Sequence, residues 1–289
     1  MRVLLLGATG SIGTAITRTL VQNGHSVTGL ARSAQSAAEI TAIGATPLPG
    51  DLRNPAEWAA VLQDMDAVIH AAATFDSDMA QTDRMVVSEL LRQVQNRSVP
   101  LRLLYTGGCW LYGATGNRIA DETSVKRPIE SFKWMVEQGQ RVLSARGVSA
   151  AIVHPALVYH EGGGAFARYL AAVSADEPIE VWGSLNTRWP LVHRDDLARA
   201  YLTLLERPEL IGEFNVCAQS GVPVSQIISE IARRSDHASG YVVRTLKYVL
   251  CKYGATAEGP TLDQQMSAEK IKRLCGWEPE HRCFRTMAF

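Results

Sequence analysis

Gly7-Ala8-Thr9-Gly10-Ser11-Ile12-Gly13 puts three glycines into seven residues, between the apolar run Val3 to Leu6 and the helically spaced Ile12, Ile16 and Leu20. A turn of this kind holds an anion. One small residue allows the tight turn, a second lets backbone approach a phosphate, and a third lets helix pack on strand. The helix N-terminus adds free N–H groups and partial positive charge. Gly7, Thr9, Gly10, Ser11, Ile12 and Gly13 are therefore the expected phosphate contacts. The next strand ends in Gly29-Leu30-Ala31-Arg32-Ser33, without the acid that holds free ribose hydroxyls in NAD-type sites. Arg32 offers a planar charged fork suited to a 2′-phosphate, and Ser33 offers a further hydrogen bond. NADP(H) is the expected cofactor; a solvated arginine on a loop is the alternative reading of Arg32.

The elements that must position this turn alternate between strand and helix, the signature of a parallel sheet covered on both faces. Short apolar runs predict strands at 2–6, 25–30, 46–48, 67–71, 101–105 and 150–154. Asn54-Pro55-Ala56-Glu57 has the form of a capped helix start. Long helices are expected over 79–95 and 128–146. Val192-His193 and Phe214-Asn215-Val216 read as returns to the main sheet. The fold class is α/β, a Rossmann doubly wound parallel sheet with a small C-terminal substrate lobe. The expected division is 1–155 for the NADP(H)-binding domain, its sheet completed by 190–217, with 156–189 and 218–289 as the lobe. Ligands in such folds sit outside the carboxyl ends of the strands, where strand order reverses.

Composition excludes little and suggests an ordinary globular enzyme or binding protein. Lys plus Arg and Asp plus Glu are each 29, so no net charge favours nucleic acid or an anionic membrane. A small-molecule substrate is the expected partner. The opening apolar run is too short for a secretion signal or a membrane span. Five scattered cysteines lack CxxC spacing. A cytoplasmic protein without a metal site is expected.

Beyond the glycine turn, Gly50-Asp51-Leu52, Asp66-Ala67-Val68-Ile69-His70-Ala71-Ala72, and Tyr105-Thr106-Gly107-Gly108-Cys109-Trp110-Leu111-Tyr112-Gly113 follow in order. His154-Pro155-Ala156-Leu157-Val158-Tyr159, Val192-His193-Arg194-Asp195-Asp196-Leu197-Ala198 and Gly276-Trp277-Glu278-Pro279 complete the series. Across nearly the whole chain these motifs resemble the extended short-chain dehydrogenase/reductases, the NAD-dependent epimerase/dehydratase family. The resemblance implies that Asp51 and Leu52 lie against the adenine, that Ala71, Ala72 and Ala73 line the cofactor's path, and that the backbone after Pro155 meets the nicotinamide carboxamide. It also implies a homodimer through the two long helices.

The family's proton chemistry uses a Tyr, a Lys four residues later whose ammonium lowers the phenol's pKa, and a Ser or Thr on a strand end. Lys133, with Glu137 one turn on, matches the lysine. The tyrosine slot holds Ile129, and the Ser/Thr slot holds Gly108. Tyr112, Tyr159 and Thr106 are the candidate replacement acids, with Cys109, Trp110, His154 and Trp189 as candidate substrate contacts. In sugar-nucleotide members an arginine binds the diphosphate where Trp189 stands here, and Arg188 is one residue off. A small, partly apolar carbonyl, enone or imine compound fits better. Three readings remain open: an NADP(H)-dependent oxidoreductase with a relocated acid, one whose proton comes from water or substrate, and a catalytically inactive NADP(H)-binding sensor.

Overall fold

Residues Arg2–Leu6 form β1, with Val3, Leu4, Leu5 and Leu6 fully buried, as a strand covered on both faces requires. The computed structural model describes residues 1–286. β2 (Ser26–Ala31), β3 (Thr46–Pro49), β4 (Ala67–His70), β5 (Leu101–Thr106) and β6 (Val148–Pro155) follow along the chain. With the strand Gly212–Val216 they make a seven-stranded sheet in the order β3-β2-β1-β4-β5-β6-Gly212–Val216. β1 runs parallel to both β2 and β4, with Leu5 opposite Gly29 on one side and Ile69 on the other. Strand order reverses at β1, so the expected ligand crevice lies off its carboxyl end.

Helices α1 (Ser11–Gln22), α2 (Ala34–Ala42), α3 (Met79–Val94) and α4 (Lys133–Leu143) follow the strands in the chain and cover this sheet. Leu4, Leu6, Val68, Leu103, Tyr105 and Ile152 pack with Val86, Leu90 and Val94 of α3 and with Val142. Each fully buried aliphatic side chain contributes about 1.5–3 kcal/mol of transfer free energy. α1 lies against β1 and β2. This is the doubly wound α/β fold expected from the alternation of elements.

Three expectations need correction. Asn54 makes no side-chain cap, and 55–64 forms two 3-10 turns, Pro55–Glu57 and Ala59–Asp64, instead of a helix. The reason is Trp58, which is buried and donates its indole N–H to the Asp51 carbonyl, breaking the turn between them. The helix expected over 128–146 is shorter, beginning at Lys133 after a 3-10 turn at Glu130–Phe132. Val192 and His193 lie in the strand Arg188–His193, which belongs to a separate sheet of four strands.

Two compact units divide the chain. One comprises Met1–Gly107, Trp134–His154 and Leu197–Phe214; the other holds Gly108–Lys133, Pro155–Asp196 and the chain from Asn215 onward. The second unit contains the four-stranded sheet and a parallel strand pair, Ile179–Trp182 with Tyr241–Arg244. Its core gathers Tyr159, Phe166, Tyr169, Trp189, Leu191, Ile227, Ile231 and Phe284. No helix among the described residues is long and apolar enough to cross a membrane.

Candidate functional site

The glycine turn is built so tightly that side chains would destroy it. Gly7 has φ +89°, and a Cβ there would stand 2.8 Å from the Ala71 carbonyl oxygen. A Cβ at Gly13 would stand 1.8 Å from the Gly7 carbonyl oxygen. Gly10 caps α1 without any side-chain hydrogen bond, and the first turn carries no acid. The free N–H groups of α1 therefore keep their capacity for an external anion. Thr17, further along α1, donates instead to the Gly13 carbonyl at 2.8 Å. A cradle of bare backbone with an uncapped helix end fits a pyrophosphate.

At the end of β2, Arg32 and Ser33 are exposed. Ser33 is also the cap of α2: its hydroxyl accepts the Ser36 N–H at 3.1 Å, and its own N–H donates to the Ser36 hydroxyl. Asp51 is held in place by the Arg53 N–H, which donates to its Oδ1 at 2.8 Å. Leu52 packs on the core beside it. Ala71 and Ala72 follow β4 and pass directly against Gly7, and Ala73 is exposed.

At the end of β5 the Thr106 hydroxyl is committed to the Tyr201 hydroxyl at 2.6 Å. His154, on β6, is buried and fills the space that a side chain at Gly107 would need, with an ideal Cβ only 2.2 Å from its Nδ1. Its Nε2 stands 3.4 Å from Glu213 Oε2. In the second unit, Gly108 is extended and a Cβ there would meet nothing within 4 Å. Burial pushes the Cys109 thiol up to about 12. Tyr112 is buried and donates to Asn215 Oδ1 at 2.7 Å. Tyr159 is wholly buried, stacked on Phe166 at 5.1 Å and edge-on to His193, and burial pushes its phenol far above the ordinary value. Lys133 is exposed at the start of α4, its Nζ in contact with the Glu130 carboxylate. Pro155 closes β6 as a buried residue.

Residues 3–217 match the NAD dependent epimerase/dehydratase family. The chain belongs to that family. The uncharacterized protein C2A9.02 of Schizosaccharomyces pombe is 26% identical over 99% of this chain and 97% of its own. Vestitone reductase of Medicago sativa is 24% identical over 78% of this chain and 79% of its own. Human epimerase family protein SDR39U1, solved with NADPH, superposes with a TM-score of 0.81 at 20% identity, covering 98% of this chain and 96% of that one.

At the positions expected to match the family's lysine, tyrosine and serine or threonine stand Lys133, Ile129 and Gly108. Ile129, at the expected tyrosine position, is buried and apolar. Of the expected replacements, Tyr112 and Tyr159 are enclosed in the second unit's interior, and Thr106 already shares its proton with a buried tyrosine. The substrate-contact expectations change as well. Trp189 is a core residue, stacked on Tyr169 at 5.7 Å with its indole N–H on the Pro260 carbonyl. Cys109 and His154 are buried, whereas Trp110 is half-buried against Phe132 and Gly259. Arg188 is consumed by Asp263, through Nε at 2.9 Å and Nη2 at 2.5 Å.

Sequence reasoning missed two constellations. Arg53 bridges Asp76 and Asp78, partners too far away in the chain for any local pattern to reveal. Asp83 is a buried carboxylate that accepts from Tyr105 and Gln138 and lies 3.3 Å from His70 Nε2. Among the described residues no group of three or more His, Cys, Asp or Glu is arranged to hold a metal.

Proposed function

We propose that this chain is an NADP(H)-dependent oxidoreductase acting on a small, partly apolar carbonyl, enone or imine compound, without the family's usual tyrosine and serine. The observation that carries the reading is the bare glycine cradle followed by Arg32 where an NAD-type site has an acid. The relative solved with NADPH supports the phosphate-bearing form, and a reductase among the sequence relatives supports the reaction class.

In this reading the first turn of α1 takes the pyrophosphate and Arg32 takes the 2′-phosphate, with Ser33 offering backbone or hydroxyl contacts. Asp51 and Leu52 flank the adenine, with the Oδ2 of Asp51 left for an amino group. Ala71, Ala72 and Ala73 line the path, and the backbone beyond Pro155 meets the carboxamide. When bound, NADP(H) supplies or accepts the hydride. Lys133, exposed at the start of α4, holds the ribose. No buried phenol has to move a proton, so the substrate's oxygen or nitrogen is protonated from Lys133 or from water. Orientation alone supplies a large part of such a rate enhancement. The loss of Arg188 to Asp263 and the burial of Trp189 leave neither residue free for a sugar-nucleotide diphosphate, which favours a compact substrate. The protein is a cytoplasmic homodimer in this proposal.

The absence of both hydroxyls also favours a second reading, a cofactor-dependent sensor without turnover. The test is to measure NADPH and NADH affinities side by side on wild type and Arg32→Ala. NADPH should bind more tightly than NADH, and the mutation should weaken NADPH alone by about ten- to a hundredfold, as loss of a charge-assisted contact of about 1.5–3 kcal/mol requires. Equal effects on the two cofactors would remove the phosphate role of Arg32. NADPH oxidation with any member of a panel of ketones, enones and imines separates the enzyme from the sensor.

A further inference from the structure

Among the described phenylalanines, Phe132, Phe166, Phe214 and Phe284 are buried, and Phe75 alone is exposed, at 68%. Its backbone is equally unusual, with φ +53°. A bulky residue adopts that region only where its surroundings hold it there, and such positions gather at ligand sites. Phe75 lies five residues beyond His70, the last residue of β4, and the chain between them rests against the glycine turn at Ala71 and Ala72. It therefore stands on the loop that leaves the phosphate cradle.

Arg53 ties down the residues that follow Phe75. Its Nε donates to Asp78 Oδ2 at 2.7 Å, and its Nη2 to Asp78 Oδ1 at 3.1 Å and Asp76 Oδ2 at 2.8 Å. The Arg53 N–H is in turn fixed on Asp51. Asp76 and Asp78 also accept, through their carbonyls, the Met79 and Thr82 N–H groups that open α3. One guanidinium thus ties the loop carrying Phe75 to the segment after β3 that flanks the expected adenine position. The side chains around Phe75 are organised, yet its ring is left in water.

We propose that Phe75 is a cofactor contact, its ring packing on a flat ring of NADP(H), with Arg53 as the positioning residue that holds the loop for it. The proposal rests on the NADP(H) reading of the glycine turn. An aromatic ring held outward by ion pairs on one side of a dinucleotide cradle presents a face to a planar group and no polar group that could serve a sugar or phosphate. The chemistry common to adenine and nicotinamide is that planar face, and the test separates them.

Phe75→Gly and Phe75→Asn remove the ring while keeping residue types that accept positive φ. Both should fold with a Tm no lower than wild type and bind NADPH at least about threefold more weakly, as an aromatic stacking contact implies. Phe75→Trp should fold and show its fluorescence quenched, with energy transfer to the bound dihydronicotinamide. Titrating adenosine 2′,5′-bisphosphate assigns the ring. Weakening of that ligand as well as NADPH places Phe75 on the adenine, whereas weakening of NADPH alone places it on the nicotinamide. Both outcomes support the contact. NADPH affinity changed by less than threefold in both ring-less variants, with wild type binding normally, would overturn this inference and leave the NADP(H) reading standing. Failure of the wild type to bind NADPH would overturn both.

Discussion

Gly13 and Gly108 share an ordinary negative or extended backbone, and an added methyl group would meet quite different surroundings at each. At Gly13 it would press 1.8 Å from the Gly7 carbonyl oxygen, with backbone and no flexible side chain in the way. At Gly108 it meets open space. Gly13→Ala should therefore destabilise by about 1–3 kcal/mol or more, as overpacking does, and lose NADPH binding. Gly108→Ser, which places a hydroxyl at the position expected for the family's serine, should leave stability within about 0.5 kcal/mol. Thermal unfolding and NADPH titration of both variants check this, and a destabilised Gly108→Ser would mean that the space beside it is not open. The glycine turn and the acid-free end of β2 were legible because the spacing is itself the physical requirement. The fates of Tyr112 and Tyr159 were not. Whether a tyrosine near a strand end faces a crevice or a core is decided by Asn215, Phe166 and His193, which are distant in sequence. Phe75 was illegible for a related reason, since the loop that carries it is tied by an arginine more than twenty residues earlier.

β4, β5, α3 and α4 are joined at one buried point, the Asp83 carboxylate. Tyr105 Oη donates to both its oxygens at 3.1 Å, Gln138 Nε2 to one of them at 3.1 Å, and His70 Nε2 stands 3.3 Å away. Burial first, then the Asp83 charge, pushes the Tyr105 phenol well above its ordinary value, so it stays a hydrogen-bond donor at any physiological pH. Removing the carboxylate takes the acceptor from the buried Tyr105 hydroxyl and Gln138 amide. Asp83→Ala should cost about 3–5 kcal/mol, the range for breaking a buried charged partnership, whereas Tyr105→Phe should cost about 1 kcal/mol. Urea unfolding of the two variants measures the difference. Near-equal losses would mean that Asp83 is not the hub. The strands here were readable from their apolar runs and α3 from its periodicity, because burial on a sheet or helix face leaves a period in the sequence. The 3-10 turns at 55–64 were not readable, because Trp58 overrides a local helix start by reaching back to Asp51. The placement of Val192 and His193 failed likewise, since an apolar run does not say which strand it pairs with.

For the molecule as a whole, acid should weaken the fold well before its carboxylates protonate. Asp66, held low by the Arg2 N–H, and Asp263, held low by its hydrogen bond from Arg188, contribute stability above the unfolded carboxylate range near 4. That contribution is lost only as pH falls through their still lower folded values. Histidines act earlier. His193 is completely buried, and its proton affinity is held below that of free imidazole by burial first and then by His281, whose ring stacks on it at 3.8 Å. Glu161, Asp195 and Asp196 oppose this without reversing it. His160 is lowered by burial and then by Arg194. The unfolded chain therefore takes up protons at these sites as pH falls through about 6.5 while the folded chain does not, and stability falls with it. Glu122 works in the opposite sense, because burial raises its carboxyl, so its penalty at neutral pH is relieved by acid. That term is common to wild type and to a histidine variant, and a comparison of the two cancels it. The wild-type urea midpoint should be lower at pH 5.5 than at pH 7.5, and His193→Gln should narrow the gap, whatever its own stability at pH 7.5. A gap of unchanged size would show that the His193–His281 stack does not oppose protonation, and that the acid sensitivity arises elsewhere.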